Sequence, residues 1–505
     1  MILSKRNFIW LAILVFLLFT ATSINFSWVQ RYHNSDSLLV TLISLDHYTP
    51  FYWGENRFGQ PGPLILSFIR DYRANLFGQT ELLVSASLGC VVLFNLYFFH
   101  ASLSKLQRMS AAMLSIVFCL CILSSEGPSQ MLAMGAQPYM PSLFLTLLAA
   151  ALLFRMPSLP DWVRAAGALF CLLLAFWLNA SVAVIALGLT LCLDFNPRDL
   201  RWKQRLGGLL IVAASLGANA WFAGRYPGPR LLVFEPMADW VFGLRRLSWR
   251  VWPYFFHLGR LLAFLAVLLA VLLSQRTWRR VPRNYCIPDV LVFLVAAICY
   301  AAAIARVEWV GINRYATRYW TIPAMLFLLL VTGWTSAAFI RLLSHALRSE
   351  GLTLFCTATL LAVAVFSIFG LPSYGKAAAY LAESTNRFDA DERALGCTHL
   401  VGSYWIGWTS VFQRESSGGP PIYAITNRSE VTRDRWDWAP GRLRTYCGEP
   451  GDSDRERWIR AFGLPPLRET VRAGTLCKLE ITAAPVADAL GRKQDPGKPG
   501  TTGRP

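Results

Sequence analysis

A run of polar and aromatic residues directly after the first apolar segment carries the residue types best suited to chemistry. Residues 30–63 read QRYHNSDSLLVTLISLDHYTPFYWGENRFGQPGP, with Asp36, Asp46 and Glu55 among aromatic side chains and Arg57 close behind. Acidic side chains beside a bilayer are costly unless they face water, a partner or a substrate. A positioned carboxylate can take the proton from a hydroxyl as that hydroxyl attacks an activated carbon. Asp36 is therefore the leading candidate for a general base, with Glu55 as a second carboxylate.

The residues that follow Asp36 predict the element that positions it. Apolar side chains at helical spacing indicate a short amphipathic helix over 37–45, lying in the membrane interface with its apolar stripe toward lipid or protein. Asp36 stands at or beside its first residue. Asn34, Ser35 and Asp36 all cap helices well, so helix capping and catalysis remain two open interpretations of Asp36.

The other charged residues of this run also have a plain interpretation. Glu55 and Arg57, in WGENRFGQ, make the interface more polar than a turn requires, but an exposed salt bridge between them would contribute little. Asp46 and His47 are interpreted as solvated loop residues.

Composition identifies the class of protein that must hold these residues. The chain has 505 residues, of which 55% are hydrophobic and only 15% are charged, as in a polytopic membrane protein. The net charge of +18 comes mainly from short basic runs between apolar segments, which favours contact with anionic lipid and argues against a nucleic-acid partner. The first apolar segment resembles a signal peptide but lacks a cleavage pattern, so a retained anchor helix is expected.

Apolar segments long enough to cross a bilayer number eleven. They lie at about 8–27, 80–99, 110–124, 140–154, 163–178, 181–195, 206–223, 257–274, 288–305, 320–340 and 353–371. The fifth and sixth are separated by little more than Asn179, so a single bent span is the alternative there.

The lysines and arginines of the short loops predict the orientation. The N-terminus and the loops at 101–109, 155–164, 196–205, 275–287 and 341–352 are basic and fall on one side of the membrane, which the positive-inside rule assigns to the cytoplasm. The first loop, 28–79, and the region after residue 372 then face outward.

Three arginines late in the chain fall on the side where that rule disfavours them. Arg306, Arg314 and Arg318 therefore require an anionic partner. A lipid-linked phosphate fits, because a guanidinium fork matches phosphate oxygens and a departing phosphate needs its charge stabilised. Pairing with Glu308 or with phospholipid headgroups is the alternative.

The region from 373 to 484 is polar and aromatic, and predicts a small extracytoplasmic α/β or α+β domain. Alternating apolar residues at 398–404 and 421–426 are typical of strands. Two of its three cysteines, Cys397, Cys447 and Cys477, could form a disulfide. The composition of 485–505 is that of a disordered tail.

Several enzyme classes lack their motifs here. The chain has no P-loop, no GxGxxG after a strand, no HExxH and no GxSxG, and its six histidines do not pair at metal-ligand spacing. Any chemistry would rest on carboxylates and arginines of the outer face. No cofactor is predicted, and the residues do not decide whether a divalent metal takes part.

The whole arrangement, from an inward N-terminus through an acidic first outer loop to a C-terminal outer domain, resembles the GT-C superfamily of membrane glycosyltransferases. Protein O-mannosyltransferases and the lipid A aminoarabinose transferase belong to it. The resemblance implies a polyprenyl-phosphate sugar donor, with Asp36 in HNSDSL matching the acidic residue at or near the catalytic base. It maps the family's phosphate-binding residues loosely onto Arg314 and Arg318. Asp36 is flanked by serines instead of a second acid, which leaves Glu55 as a partner for the role.

The resulting expectation is an inverting glycosyltransferase of the inner membrane. It would move a sugar from a polyprenyl phosphate to an envelope glycan, lipid or protein, with Asp36 as base, Glu55 assisting, and Arg57, Arg314 and Arg318 holding the phosphate. One alternative is an O-antigen ligase or polymerase using a lipid-pyrophosphate donor. The other is a non-catalytic flippase or assembly protein, although a flippase would place charges inside the spans.

Overall fold

The computed structural model describes residues 5–53, 55–56, 58–98, 103–123, 138–193, 202–226, 287–307 and 317–435, the stretch 443–481, and the single residues 241, 245 and 310. This part of the chain is mostly helical, with a small sheet near the C-terminus. It forms two compact units, Met1–Thr385 and Asn386–Pro505.

The first unit is built from helices that begin and end as follows: α1 Lys5–Tyr32, α2 Ser35–Leu45, α3 Pro61–Leu66, α4 Tyr72–Leu93, α5 Lys105–Leu123, α6 Tyr139–Phe154, α7 Asp161–Asn179, α8 Ala183–Cys192, α9 Trp202–Ala223, α10 Ile287–Ala305, α11 Thr321–Leu347, α12 Glu350–Phe369 and α13 Tyr374–Thr385. A π-helical turn, Phe94–Phe98, extends α4. A 3₁₀ turn, Ala180–Val182, joins α7 to α8. One large apolar core runs between these helices.

Seven helical stretches of the described chain are long and apolar enough to cross a membrane. They are Asn7–Ser27, Tyr72–Phe98, Lys105–Ile122, Asp161–Cys192, Trp202–Ala223, Thr321–Leu347 and Glu350–Leu395. Two further segments predicted as spans form shorter apolar helices, at Tyr139–Phe154 and Leu291–Ala305. The segment predicted at 257–274 lies outside the described residues. The membrane class of the protein is thus supported, and the count of eleven spans stays a prediction.

The helical stretch Asp161–Cys192 reverses direction at its 3₁₀ turn. Near the start of α7, Arg164 donates to the carbonyl of Leu153 at 3.3 Å, and just after α8 the carbonyl of Leu193 accepts from Arg205 at 3.3 Å. Arg205 and its neighbour Gln204 begin α9, and Gln204 donates to the same Leu153 carbonyl. The start of α7 and the end of α8 therefore lie close together, so the two helices run in opposite directions.

The two ends of α4 and its extension make different polar contacts. Arg108 donates to the carbonyl of Leu96 at 2.8 Å, at the far end of the α4 extension. The opposite end of α4 begins at Tyr72, whose hydroxyl bonds to Asp46 of the first loop. The predicted topology and the orientation relative to a membrane stay predictions.

The second unit is a five-stranded sheet with helices on both faces. Its elements are α14 Asp389–Leu395, β1 His399–Val401, α15 Tyr404–Ser417, β2 Tyr423–Ile425, β3 Tyr446–Gly448, α16 Arg455–Ala461, β4 Leu467–Ala473 and β5 Leu476–Ile481. The strand order is β2-β1-β3-β5-β4, with β1 parallel to both β2 and β3, and β5 antiparallel to β3 and β4. The runs predicted as strands at 398–404 and 421–426 contain β1 and β2, but Tyr404 at the end of the first run begins α15.

A disulfide joins Cys397, just before β1, to Cys447 of β3. Cys477 on the neighbouring β5 pairs in register with Gly448, one residue beyond Cys447. Successive residues of a strand point to opposite faces, so Cys477 lies on the other face of the sheet from the disulfide. This separation explains which of the three cysteines is left over.

Candidate active site at the first loop

Helix α2 begins two residues earlier than the spacing of its apolar residues predicts, and Asn34 is its cap. The backbone N–H of Ser37 donates to the Asn34 side chain at 3.1 Å, and the Ser37 hydroxyl accepts from the Asn34 N–H at 2.9 Å. This reciprocal capping box satisfies the first turn of the helix. Asp36 lies inside that first turn, so the interpretation of Asp36 as the capping residue is wrong.

Helix α2 is also more deeply placed than an interfacial helix would be. Every residue from Ser35 to Ser44 is buried in the protein. Its polar face therefore meets protein groups instead of water, and only 8% of the surface of Asp36 is exposed. A carboxylate buried to this extent requires hydrogen-bonding partners.

Tyr52 supplies one of those partners. Its hydroxyl lies 3.2 Å from Asp36 Oδ1 and 3.2 Å from the Asp36 carbonyl oxygen, and the tyrosine itself is buried. The single hydroxyl proton is shared between the two acceptors. Tyr52 thus orients the carboxylate by a neutral donor, and the orientation depends on the segment that carries Tyr52.

That segment is a hairpin over residues 50–60, called here the first-loop hairpin. Phe51 and Gly59 form an antiparallel bridge, in which Gln60 N donates to the carbonyl of Pro50 at 2.9 Å and Tyr52 N to that of Phe58 at 3.1 Å. Near its tip, Glu55 N donates to the carbonyl of Tyr52 at 2.9 Å. The hairpin therefore carries both the hydroxyl that holds Asp36 and the second predicted carboxylate, Glu55.

The end of α7 fixes the hairpin from outside the first loop. Gly59 N donates to the carbonyl of Trp177 at 2.8 Å, and the Trp177 indole N–H donates to the carbonyl of Pro50 at 3.0 Å. A Cβ on Gly59 would overlap both the ring and the carbonyl of Trp177. Only glycine permits this close approach, so the backbone contact with Trp177 explains why residue 59 is a glycine.

Aromatic rings from α7 and from the end of α9 lie around the hairpin. The ring of Phe51 lies 5.3 Å from that of Phe222 and 5.4 Å from that of Tyr226, at the end of α9. Trp177 packs edge-on against Phe222 at 6.0 Å. Burial and then the neighbouring Tyr226 raise the pKa of Tyr48 to about 12, so this hydroxyl stays protonated. The surroundings of the hairpin are largely apolar, which strengthens electrostatic interactions inside them.

A polar network attaches α2 to α4. The side-chain amide of the fully buried Asn75 donates to Ser44 Oγ at 3.0 Å and to the Leu66 carbonyl at 2.9 Å. The hydroxyl of Tyr72 donates to Asp46 Oδ1 at 2.6 Å. Asp46, predicted to be a solvated loop residue, is therefore a structural acceptor.

The side chains of the predicted phosphate-binding arginines lie outside the described part of the structure. Arg57 and Arg314 lie outside the described residues. Only the backbone of Arg318 is described, in the 3₁₀ turn Thr317–Trp320 that precedes α11. Their role in binding a phosphate stays a prediction.

Two residues of this assembly were not predicted from the sequence. Tyr52 sits in the run Phe51–Tyr52–Trp53, and such consecutive buried aromatics followed by glycine are a signal for a packed turn. Trp177 is 127 residues from the carbonyl it binds, and no local pattern connects the two.

Glu81 is a further carboxylate, inside the stretch Tyr72–Phe98. It accepts from the Asn25 side chain at 2.9 Å and from the Thr22 hydroxyl at 3.3 Å, both on α1. A carboxylate at this position joins α1 to α4 through neutral donors. Charge inside a span is rare and needs such partners.

The described residues bring no three His, Cys, Asp or Glu side chains together as a metal site. No protein-family model matches the chain, and a search of curated proteins gives no match either. The function of the protein is therefore inferred from its sequence and from the geometry of the first loop.

Proposed function

We propose that the protein transfers a sugar from a polyprenyl-phosphate donor to an extracytoplasmic cell-envelope acceptor, with inversion at the anomeric carbon. The observation that supports it is the Asp36 carboxylate, which is buried, is not the helix cap, and is oriented by the Tyr52 hydroxyl at 3.2 Å. A carboxylate held in this way is suited to accept one proton in a defined direction.

In the proposed reaction the acceptor hydroxyl attacks the anomeric carbon of the donor sugar. Asp36 takes the hydroxyl proton as the new C–O bond forms. The bond from the anomeric carbon to the phosphate oxygen breaks on the opposite face, and its electron pair leaves with the polyprenyl phosphate. Arg57, Arg314 and Arg318 would stabilise the charge of that phosphate, and Glu55 would bind substrate or assist the base.

The test is the envelope glycan profile, measured by mass spectrometry, of cells that lack the protein and carry wild-type or variant copies. We expect Asp36→Asn to reduce the transferred sugar by about 10²–10⁴-fold, since general-base catalysis contributes that much. Arg318→Ala is expected to reduce it as well.

Asp46→Asn is the matched control, because Asp46 is a carboxylate of the same loop held by a tyrosine hydroxyl at 2.6 Å. It should retain most of the activity, and membrane expression of each variant is compared by immunoblotting. Full rescue by a well-expressed Asp36→Asn variant would remove Asp36 from the reaction and favour a ligase or carrier that depends on the late arginines.

A further inference from the structure

The second unit contains a cleft of about 930 Å³. It lies between the 3₁₀ turn Ser429–Arg435, the start of β3 and the residues that follow α16. Its volume is within the range of small-molecule sites, about 300–1,000 Å³. This cleft belongs to the second unit alone and shares no residue with the first loop.

The cleft combines an apolar floor with a charged rim. Tyr446 and Phe462 are 5% and 3% exposed, and belong to the core beneath the cleft. Arg433 donates to the carbonyl of Phe462 at 3.5 Å, and its guanidinium lies 5.9 Å from the centre of the Phe462 ring. This arginine is thereby positioned over the floor by two contacts of its guanidinium group.

Among the described residues that line the cleft, the rim carries both signs of charge in equal number. Arg433 and Arg444 contribute two guanidinium groups, and Glu430 and Asp434 contribute two carboxylates. A free phosphate or another strong anion would meet the two carboxylates, and a basic peptide would meet the two guanidinium groups. The balance instead suits a neutral ligand whose groups both donate and accept hydrogen bonds.

We propose that this cleft binds the saccharide part of the acceptor. Sugar hydroxyls donate to carboxylates and accept from guanidinium groups, and the C–H face of a sugar ring can lie on an apolar floor. The assignment rests on the proposed function, and it narrows the acceptor from a glycan, lipid or protein to a glycan-bearing molecule.

The experiment measures binding by the full-length protein in lipid nanodiscs to a printed array of defined di- to tetrasaccharides. The variants are Glu430→Gln, Asp434→Asn and Arg433→Gln. Glu456→Gln and Arg468→Gln are the matched controls, since they make the same charge changes at exposed positions of this unit outside the cleft. Loss of one charged hydrogen bond should weaken binding about tenfold in each cleft variant and in neither control.

Array binding needs no catalysis, so this test separates the cleft from the reaction. Asp36→Asn should bind the same oligosaccharides as wild type. If it binds normally but also rescues the glycan profile, the proposed base is wrong while the cleft assignment stands. Absence of array binding by wild type, or equal binding by cleft and control variants, would overturn the cleft assignment. So would retention of peptides in preference to saccharides in a parallel peptide array.

Discussion

Two buried carboxylates, one in each unit, are held in different ways. Asp36 and Glu392 both lie in the first turn of a helix, and they are 8% and 1% exposed. Glu392 is bound at 3.2 Å by the guanidinium of Arg414, which also pairs with Asp389 at 3.2 Å. Asp36 is bound at 3.2 Å by the hydroxyl of Tyr52.

The difference concerns what each carboxylate can do. The guanidinium of Arg414 is shared by Glu392 and Asp389, and its removal would leave uncompensated buried charge, so the cluster acts as a structural connection. The Tyr52 hydroxyl, one of the partners of Asp36, is neutral and orients the carboxylate. Burial alone therefore does not distinguish the two carboxylates, whereas the chemical type of a described partner does.

The largest effect is expected from breaking the support of Tyr52. Gly59→Ala places a methyl group against the ring and carbonyl of Trp177, which must move. We expect a loss of about 3 kcal/mol in the free energy of unfolding of the first unit, the upper range for overpacking, together with loss of the transferred sugar. Thermal unfolding of the purified protein, followed by tryptophan fluorescence, measures the change.

Gly217→Ala is the matched control for this substitution. Gly217 lies within α9, and a Cβ there would meet no atom within 4 Å. Alanine at an open helical position should stabilise the protein by about 0.5–1 kcal/mol. Equal unfolding temperatures for the two variants would show that the hairpin does not depend on Trp177.

The sequence predicts the position of Asp36 well and its surroundings less well. Helical spacing after Asp36 is a local property, and α2 follows it to within two residues. The alternating runs at 398–404 and 421–426 are equally local, and both contain strands.

The contacts that decide the role of Asp36 are not local. The cap could have been any of three adjacent residues, and only the backbone geometry selects Asn34. The contact between Trp177 and Pro50 joins segments with no shared periodicity. Burial of α2 on every side follows from the packing of several helices, which an amphipathic pattern on a single helix does not encode.

Tyr52→Phe tests the role of the hydroxyl with a smaller change. The ring stays in place while Asp36 loses this one donor, so we expect the rate of sugar transfer at saturating substrate to fall about tenfold with an unchanged KM. Such a split is expected of a residue that positions the base and does not bind substrate. Tyr72→Phe removes a comparable hydroxyl bond, to Asp46, and should leave the rate within about twofold of wild type. A similar loss in both variants would indicate general loosening of the loop.

The smallest effect concerns a carboxylate of the second unit that is held by several donors. Glu469 accepts from Gly451 N at 2.8 Å, from Arg455 at 2.6 Å and from Arg472 at 3.2 Å. The backbone N–H of Gly451, followed by the Arg455 guanidinium, lowers the pKa of Glu469 from 4.5 to about 2. The ionised carboxylate is therefore favoured in the folded protein.

The direction of the pH dependence follows from that lowered pKa. The contribution of Glu469 to stability is present above about pH 4.5, its value in the unfolded chain, and is lost as the pH falls toward 2. We expect the free energy of unfolding of wild type to exceed that of Glu469→Gln by no more than about 1 kcal/mol at pH 6, because the side chain is partly exposed. This difference should close by pH 2. Chemical unfolding at a series of pH values measures it. Glu480→Gln alters an exposed pair with Lys478 at 3.6 Å, and its difference from wild type in the free energy of unfolding should not change with pH in this way. If the difference in the free energy of unfolding between wild type and Glu469→Gln stays constant from pH 6 to pH 2, Glu469 contributes by packing and not by charge.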